Sequence, residues 1–166
     1  MDIEYYKLWY RLDEKDSYLI WFTGDVDGVF LDSHGRVPAF RSEVELDNYA
    51  VARKVAVVSG EVILHDLDKV LQWLKKPDRV DPDCDQTLAA WNMFDDVFRS
   101  LGKAFSSKTP LENKVYDKLF YGNNLPAITP EGEHYEPAWS SQEIALISQA
   151  MELGFKQFRV SICYQE

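Results

Sequence analysis

Apolar and polar positions alternate with period two at the start of the chain. Ile3, Tyr5, Lys7, Trp9 and Arg11 fall on one side, Glu4, Tyr6, Leu8, Tyr10 and Leu12 on the other. Aromatic and β-branched residues in that rhythm predict a strand. The polar run Asp13-Glu14-Lys15-Asp16 predicts a turn and 18–23 a second strand. Residues 24–28 turn the chain again, 29–31 continue it, and Asp32-Ser33-His34-Gly35 leads into an extended 37–40. Residues 1–41 therefore read as an antiparallel β meander.

The period then changes. Ser42-Glu43-Val44-Glu45 has the form of a capping box, in which the serine accepts from an orphan N–H and Glu45 reaches back. The helix it opens turns Leu46, Tyr49 and Ala50 inward. Residues 54–58 read as a buried strand, Ser59-Gly60 as a turn and 62–64 as a short extended piece. Asp66 is placed to cap a helix carrying Leu67, Val70, Leu71 and Leu74, which must stop before Pro77; 77–82 is a rigid, charged link.

Asp83-Cys84-Asp85-Gln86 offers a further cap, with Gln86 as the reciprocal partner. Beyond it Leu88, Trp91, Phe94, Phe98, Leu101 and Phe105 recur at spacings of three and four, a single apolar stripe. The opposite face carries Asp85, Asn92, Asp96, Arg99 and Lys103, with Asp95 on the flank. Thr109-Pro110-Leu111-Glu112 combines a cap with proline at the first helical position, and this helix presents Leu111, Val115, Tyr116, Leu119 and Phe120. Residues 121–139, broken by Pro126, Pro130 and Pro137 but rich in aromatics, predict a long ordered loop of the kind that often carries function. Ser140-Ser141-Gln142-Glu143 caps a last helix with Ile144, Ile147 and Met151 inward and Gly154 as its left-handed end. Phe158, Val160, Ile162 and Tyr164 then alternate as a closing strand. The fold class expected is α+β in one domain, 1–166: the meander of 1–41, then a helix-rich half, 42–166, with a short, partly parallel sheet.

Composition narrows the function. With 166 residues, 46% of them apolar, the chain can bury a core without disulfides, so Cys84 and Cys163 are expected as free thiols. Apolar runs stay far below the ~20 residues that span a bilayer, and the acidic start Met1-Asp2-Ile3-Glu4 lacks the basic region of a secretory signal; a cytoplasmic protein is expected, with no membrane partner. The net charge of −10 argues against direct contact with nucleic acid, whose phosphates select Lys and Arg, and favours a basic protein partner.

Asp25-Val26-Asp27-Gly28-Val29-Phe30-Leu31-Asp32 resembles the first motif of haloacid-dehalogenase-type phosphatases. That resemblance implies Asp25 as nucleophile, Asp27 as acid/base, Ser59 as the phosphate-binding hydroxyl and Asp95-Asp96 as the acidic pair for Mg²⁺. The family places that pair at the end of a hydrophobic strand, whereas Asp95-Asp96 falls in the best amphipathic helix. Its parallel sheet also needs helices between strands, and here short turns join the first strands. A bland acidic hairpin turn accounts for the same residues. His34, His65 and His134 lack a second ligand at helical spacing, and neither cysteine has a C-x-x-C partner, so no metal or other cofactor is expected. No serine elbow or phosphate-cradling glycine loop is present. A non-enzymatic role follows.

Two acidic groups remain: Asp83, Asp85, Asp95 and Asp96 with Asn92 on or before the long helix, and Glu131, Glu133 and Glu136 in the long loop. Tyr121, Tyr135 and Trp139 stand ready as aromatic anchors for a partner-binding face. The segments Val55-Ala56-Val57-Val58-Ser59-Gly60-Glu61-Val62-Ile63, 66–74 and Leu88-Ala89-Ala90-Trp91-Asn92, followed by the last helix and strand, resemble the barstar family in order and type. Asn92 stands where that family has an acidic residue. The whole chain, and the phrase Tyr116-Asp117-Lys118-Leu119-Phe120-Tyr121-Gly122-Asn123-Asn124-Leu125-Pro126 in particular, is similar to the acidic immunity proteins of contact-dependent growth inhibition. The resemblance implies an immunity protein that covers the basic cleft of a cognate nuclease toxin, an RNase in the barstar case, with an acidic surface. The rival expectation is the Mg²⁺-dependent phosphatase built on Asp25 and Asp27.

Overall fold

The computed structural model describes residues 2–166; Met1, the first residue of the acidic start, lies outside the described residues. Strands β1 (Glu4–Leu12) and β2 (Lys15–Thr23) pair antiparallel over their whole length. The two residues between them, Asp13 and Glu14, both have left-handed φ, 54° and 62°, the signature of the tight turn whose twist matches the strands. The Asp68 carboxylate accepts from both of their N–H groups, at 2.7 and 2.8 Å, and Arg159 grips Asp13 with two hydrogen bonds.

Strand β3 (Gly28–Val29) adds antiparallel to β2, and β5 (Leu64–Asp66) adds parallel to β1, giving the order β3-β2-β1-β5. Strand β4 (Val37–Ala39) leaves this sheet and pairs parallel with β6 (Ile162–Tyr164). The expected meander therefore ends at β3. Phe40 ties the β4 segment back to β2, by two backbone hydrogen bonds with Tyr18 of 2.8 and 2.9 Å. The α+β class, the antiparallel start and a small, partly parallel sheet are as the sequence reads.

Five helices follow: α1 (Glu43–Ala52), α2 (Leu67–Leu74), α3 (Cys84–Ser100), α4 (Pro110–Tyr121) and α5 (Ser141–Ser161). Helix α3 lies at the centre, in contact with β3, β5, α2, α4 and α5. Its Trp91, Phe94, Val97 and Phe98 join Leu8, Tyr10 and Leu19 of the sheet and Met151 and Phe158 of α5 in the main core. A smaller core, Ile20, Phe40, Leu46, Tyr49 and Ala50, lies under α1. No helix among the described residues is long and apolar enough to cross a membrane.

Several local expectations are corrected. Residues 54–58 are no strand: Val55 and Val57 are half-buried between exposed neighbours, and the segment touches β1 through a single bridge at Tyr5. The extended piece begins at Leu64 because the backbone register with Trp9 starts there, leaving Ile63 71% exposed. Glu45 reaches the Arg41 N–H rather than the cap residue's own, the Asp66 side chain makes no cap, and Gln86 accepts from Asp66 N–H instead of closing a box. Helix α5 runs straight through Gly154 to Ser161, so Phe158 and Val160 are helical and only 162–164 are strand. The loop of 122–139 is indeed without helix or strand. It is closed by Asn124, whose side chain accepts from Tyr135 N–H at 2.7 Å and donates to the Tyr135 carbonyl at 2.9 Å.

Candidate functional site

A concavity of about 1020 Å³ runs between the exposed flank of α3, the edge of β1, the 24–27 connection and the start of the 122–139 loop. Three separate stretches of chain bring carboxylates to it. Asp85, Asp95 and Asp96 come from α3, Asp25 and Asp27 from the β2–β3 connection, and Glu61 from the loop before β5. Tyr6, Trp21, Tyr116 and Phe120 supply aromatic wall, and Asn92 lies among them as the acceptor of the Tyr116 hydroxyl at 2.8 Å.

Among the described residues, two cations, Lys7 and Arg99, share the groove. Lys7 directs its ammonium to Asp47 and Glu43 of α1, at 3.0 and 3.5 Å. Burial works against that charge, but the two carboxylates outweigh it and raise the Lys7 pKa. Arg99 donates to Asp95 Oδ2 at 2.7 Å, to Asp96 Oδ1 at 3.1 Å and to the Asp27 carbonyl at 2.9 Å. The guanidinium thereby ties α3 to the 24–27 connection. His65 adds no positive charge at neutral pH, because burial holds its imidazole below the usual 6.5.

Asp96 departs from its expected place on the outer face. Its side chain is only 16% exposed and accepts from the Trp21 indole N–H at 2.9 Å. Helix α3 is buried against the sheet as well as against α4 and α5, so its polar stripe is narrower than a one-sided helix allows. Burial pushes the Asp96 carboxyl above its ordinary 3.8, against the pull of Trp21 and Arg99.

The remaining site residues lie in two neighbouring depressions. Asp83 spends one oxygen capping α3 through Gln86 N–H. With Asp85, Tyr135 and Glu136 it borders a cleft of about 670 Å³ that continues from the groove across Asn123 and Leu125. Cys84 lies there as a thiol, its pKa pushed up to about 11 by burial and by Asp83 and Asp81. Tyr121, Glu133 and Tyr135 line a third hollow of about 450 Å³ with Ile128. Glu131 is exposed and lines none of the three. Trp139 lines the same cleft as Asp83 and Tyr135 while packing partly against the core, with the Lys118 ammonium 5.5 Å from its ring centroid.

Sequence reasoning missed Tyr6, Trp21, Glu61 and Tyr116 as groove residues. Their one legible sign was aromatic residues at partly exposed strand and helix positions. Asp25 and Asp27, singled out as phosphatase residues, lie on the connection between antiparallel β2 and β3 rather than in a parallel sheet, and Ser59 is exposed in the 58–63 loop. Among the described residues no three His, Cys, Asp or Glu side chains converge as a cation's ligands would.

No protein-family model matches this chain, and no curated protein sequence matches it. The crystal structure of the SatS C-terminal domain in complex with bromine is similar at a TM-score of 0.46 and 17% identity, over 98% of this chain and 94% of that one.

Proposed function

We propose that this chain is an immunity protein: it binds a basic nuclease toxin stoichiometrically in the cytoplasm and makes or breaks no bond itself. One observation carries the reading, the gathering of six carboxylates from three stretches of chain into a single groove whose described residues include two cations. Such an imbalance focuses a negative field, which raises the encounter rate with a basic surface and rejects acidic ones. The continuation of the groove past Asn123 and Leu125 into the cleft beside Asp83 and Glu136 extends the contact face. The choice of a nuclease among basic partners rests on the likeness of 88–92 and 116–126 to the barstar and growth-inhibition immunity families. A nuclease cleft is basic because it binds phosphates, so neutralisation needs occupation and no chemistry.

Growth provides the test. The product of the neighbouring reading frame is expected to kill cells that produce it alone, and those cells are expected to survive when this chain is co-produced, with the two proteins co-purifying at one to one. Killing that proceeds unchanged, with no complex on size exclusion, overturns the reading.

A further inference from the structure

The carboxylates of this protein line a hollow, and a hollow cannot enter a cleft; it receives a protrusion. The groove's volume, about 1020 Å³, reaches the top of the roughly 300–1,000 Å³ that small ligands occupy, which suits a chain segment with several side chains. What kind of side chain it takes is visible in Arg99. Its planar fork meets Asp95, Asp96 and the Asp27 carbonyl, acceptors from two segments of chain set around one guanidinium. Close by, Tyr6 and Trp21 line the wall, their rings tilted against each other with centroids 5.6 Å apart. Carboxylates with aromatic faces favour arginine over lysine, because the guanidinium bonds in a fixed geometry and stacks, while an ammonium is a strongly hydrated point charge. The Arg99 side chain is also 40% exposed, and exposed ion pairs contribute little, so this contact is exchangeable.

We propose that the groove is the docking site for a protruding, arginine-bearing segment of the basic partner, and that Arg99 is a resident stand-in which the incoming guanidinium displaces from Asp95 and the Asp27 carbonyl. The inference rests on the proposed function for the partner being a basic protein. It changes how that partner is held: by a projecting element seated in this chain, with the acidic face as receptor rather than plug. Arg99 bridges the acidic walls in the free protein and sets a threshold that a lone lysine does not overcome.

Synthetic dodecapeptides test this on the intact chain: alternating Arg and Gly, the same with Lys, and the same with Glu, titrated by calorimetry and by Trp fluorescence. The arginine peptide is expected to bind, the lysine peptide at least about 5-fold more weakly, and the glutamate peptide not at all. Arg99→Gln, which retains a donor for the Asp27 carbonyl, is expected to tighten the arginine peptide several-fold by removing its competitor. Asp95→Asn is expected to weaken it about 10-fold; where circular dichroism shows that variant unfolded, Asp85→Asn replaces it. Glu152→Gln, exposed on α5 and lining none of the three hollows, serves as the control that changes nothing. Equal binding of arginine and lysine peptides, or weaker binding by Arg99→Gln, overturns the proposal. Rescue of cells from the toxin by a chain that ignores the arginine peptide retains the proposed function and rejects this inference. Arginine selectivity without rescue supports the receptor and rejects the toxin.

Discussion

Gly154 of α5 lies against the Phe94 ring of α3 so closely that a Cβ there would overlap three ring carbons. Two effects of Gly154→Ala oppose each other. Alanine gains about 1 kcal/mol of helix propensity over glycine, whereas overpacking a core costs about 1–3 kcal/mol. The ring is held by Phe155, Phe158 and Phe105, with centroids 5.1 to 6.1 Å away, and cannot swing aside. Sterics win, so the urea midpoint of Gly154→Ala is expected to fall, with Phe94→Leu in the same chain recovering part of the loss. A midpoint that rises would show that the aromatic cluster yields.

The same pair explains what was legible from the sequence. A glycine near the end of an apolar period reads as a helix stop, yet glycine also permits close helix–helix approach, and only the position of Phe94 decides between them. The caps at Ser42, Asp83, Thr109 and Ser140 were readable because each rests on residues three apart in the chain. The strand expected at 54–58 failed because Val55-Ala56-Val57-Val58 has strand propensity but finds one bridge to β1, so only Val55 and Val57 pack partly against the smaller core. Half of the groove was visible as acids on α3. The other half, Tyr6, Trp21, Asp25 and Glu61, arrives through sheet register and a loop that no local pattern encodes.

Asp96 carries a pH signature opposite to that of most acids. Burial raises its folded pKa above the ordinary 3.8, so the folded state binds this proton first as pH falls. Its ionised form therefore opposes folding above the folded pKa, and that penalty disappears as pH drops toward 3.8. Asp96→Asn, which still offers an oxygen to the Trp21 indole, is expected to be at least as stable as the parent at pH 7. Its advantage should shrink on acidification through that window. Thermal melts at pH 7, 5 and 4 read this out, and an advantage that grows with acid contradicts it.

Lys118 holds the far end of the long loop. It donates to the Ala138 carbonyl at 2.7 Å and pairs with Glu143, whose side chain is 3% exposed and also closes the capping box of α5. Removing one member of a buried pair strands the other, at a cost of about 3–5 kcal/mol. Lys118→Ala is therefore expected to lower stability by about 3 kcal/mol, with early hydrogen exchange across 122–139. Burial works against the Glu143 charge, but Lys118 and the Ser140 contacts outweigh it and keep the pKa below 4.5. Its contribution is present above 4.5 and is lost as pH falls through the lowered value. Lys118→Ala should accordingly show a flatter acid limb than the parent, and an unchanged limb would place the pair's effect elsewhere.

Asp68 joins α2 to the first hairpin by accepting from Asp13 and Glu14 N–H groups that both sit at left-handed φ. Hydrogen bonds to a charged group contribute about 1.5–3 kcal/mol each, reduced here because the site is exposed. Asp68→Ala is expected to cost about 1–2 kcal/mol in total, and Asp68→Asn less, since one oxygen remains as acceptor. Amide exchange at Asp13 and Glu14 should accelerate in both variants before any change at Leu8 or Tyr10. Uniform acceleration along β1 would mean that the turn is held by its own geometry.

Partner association separates the two acidic groups of the chain. Groove carboxylates converge in one concavity, where field lines are concentrated, although Asp25, Asp27, Glu61 and Asp85 are themselves exposed. Glu131 and Glu133 stand exposed on the loop, where a Debye length of about 8 Å at physiological salt cuts their reach. Reversing Asp85 and Asp95 together to lysine is therefore expected to slow association with the basic partner by on the order of tenfold at low salt, and to flatten the dependence of the on-rate on ionic strength. Reversing Glu131 and Glu133 should change the on-rate less than twofold, a margin consistent with rim charges. Stopped-flow mixing from 20 to 300 mM salt distinguishes them. Should the loop pair govern the rate and the groove pair leave it untouched, the contact face lies on the hollow beside Tyr121 and Tyr135, because the residues that set the field at encounter are those nearest the docked surface.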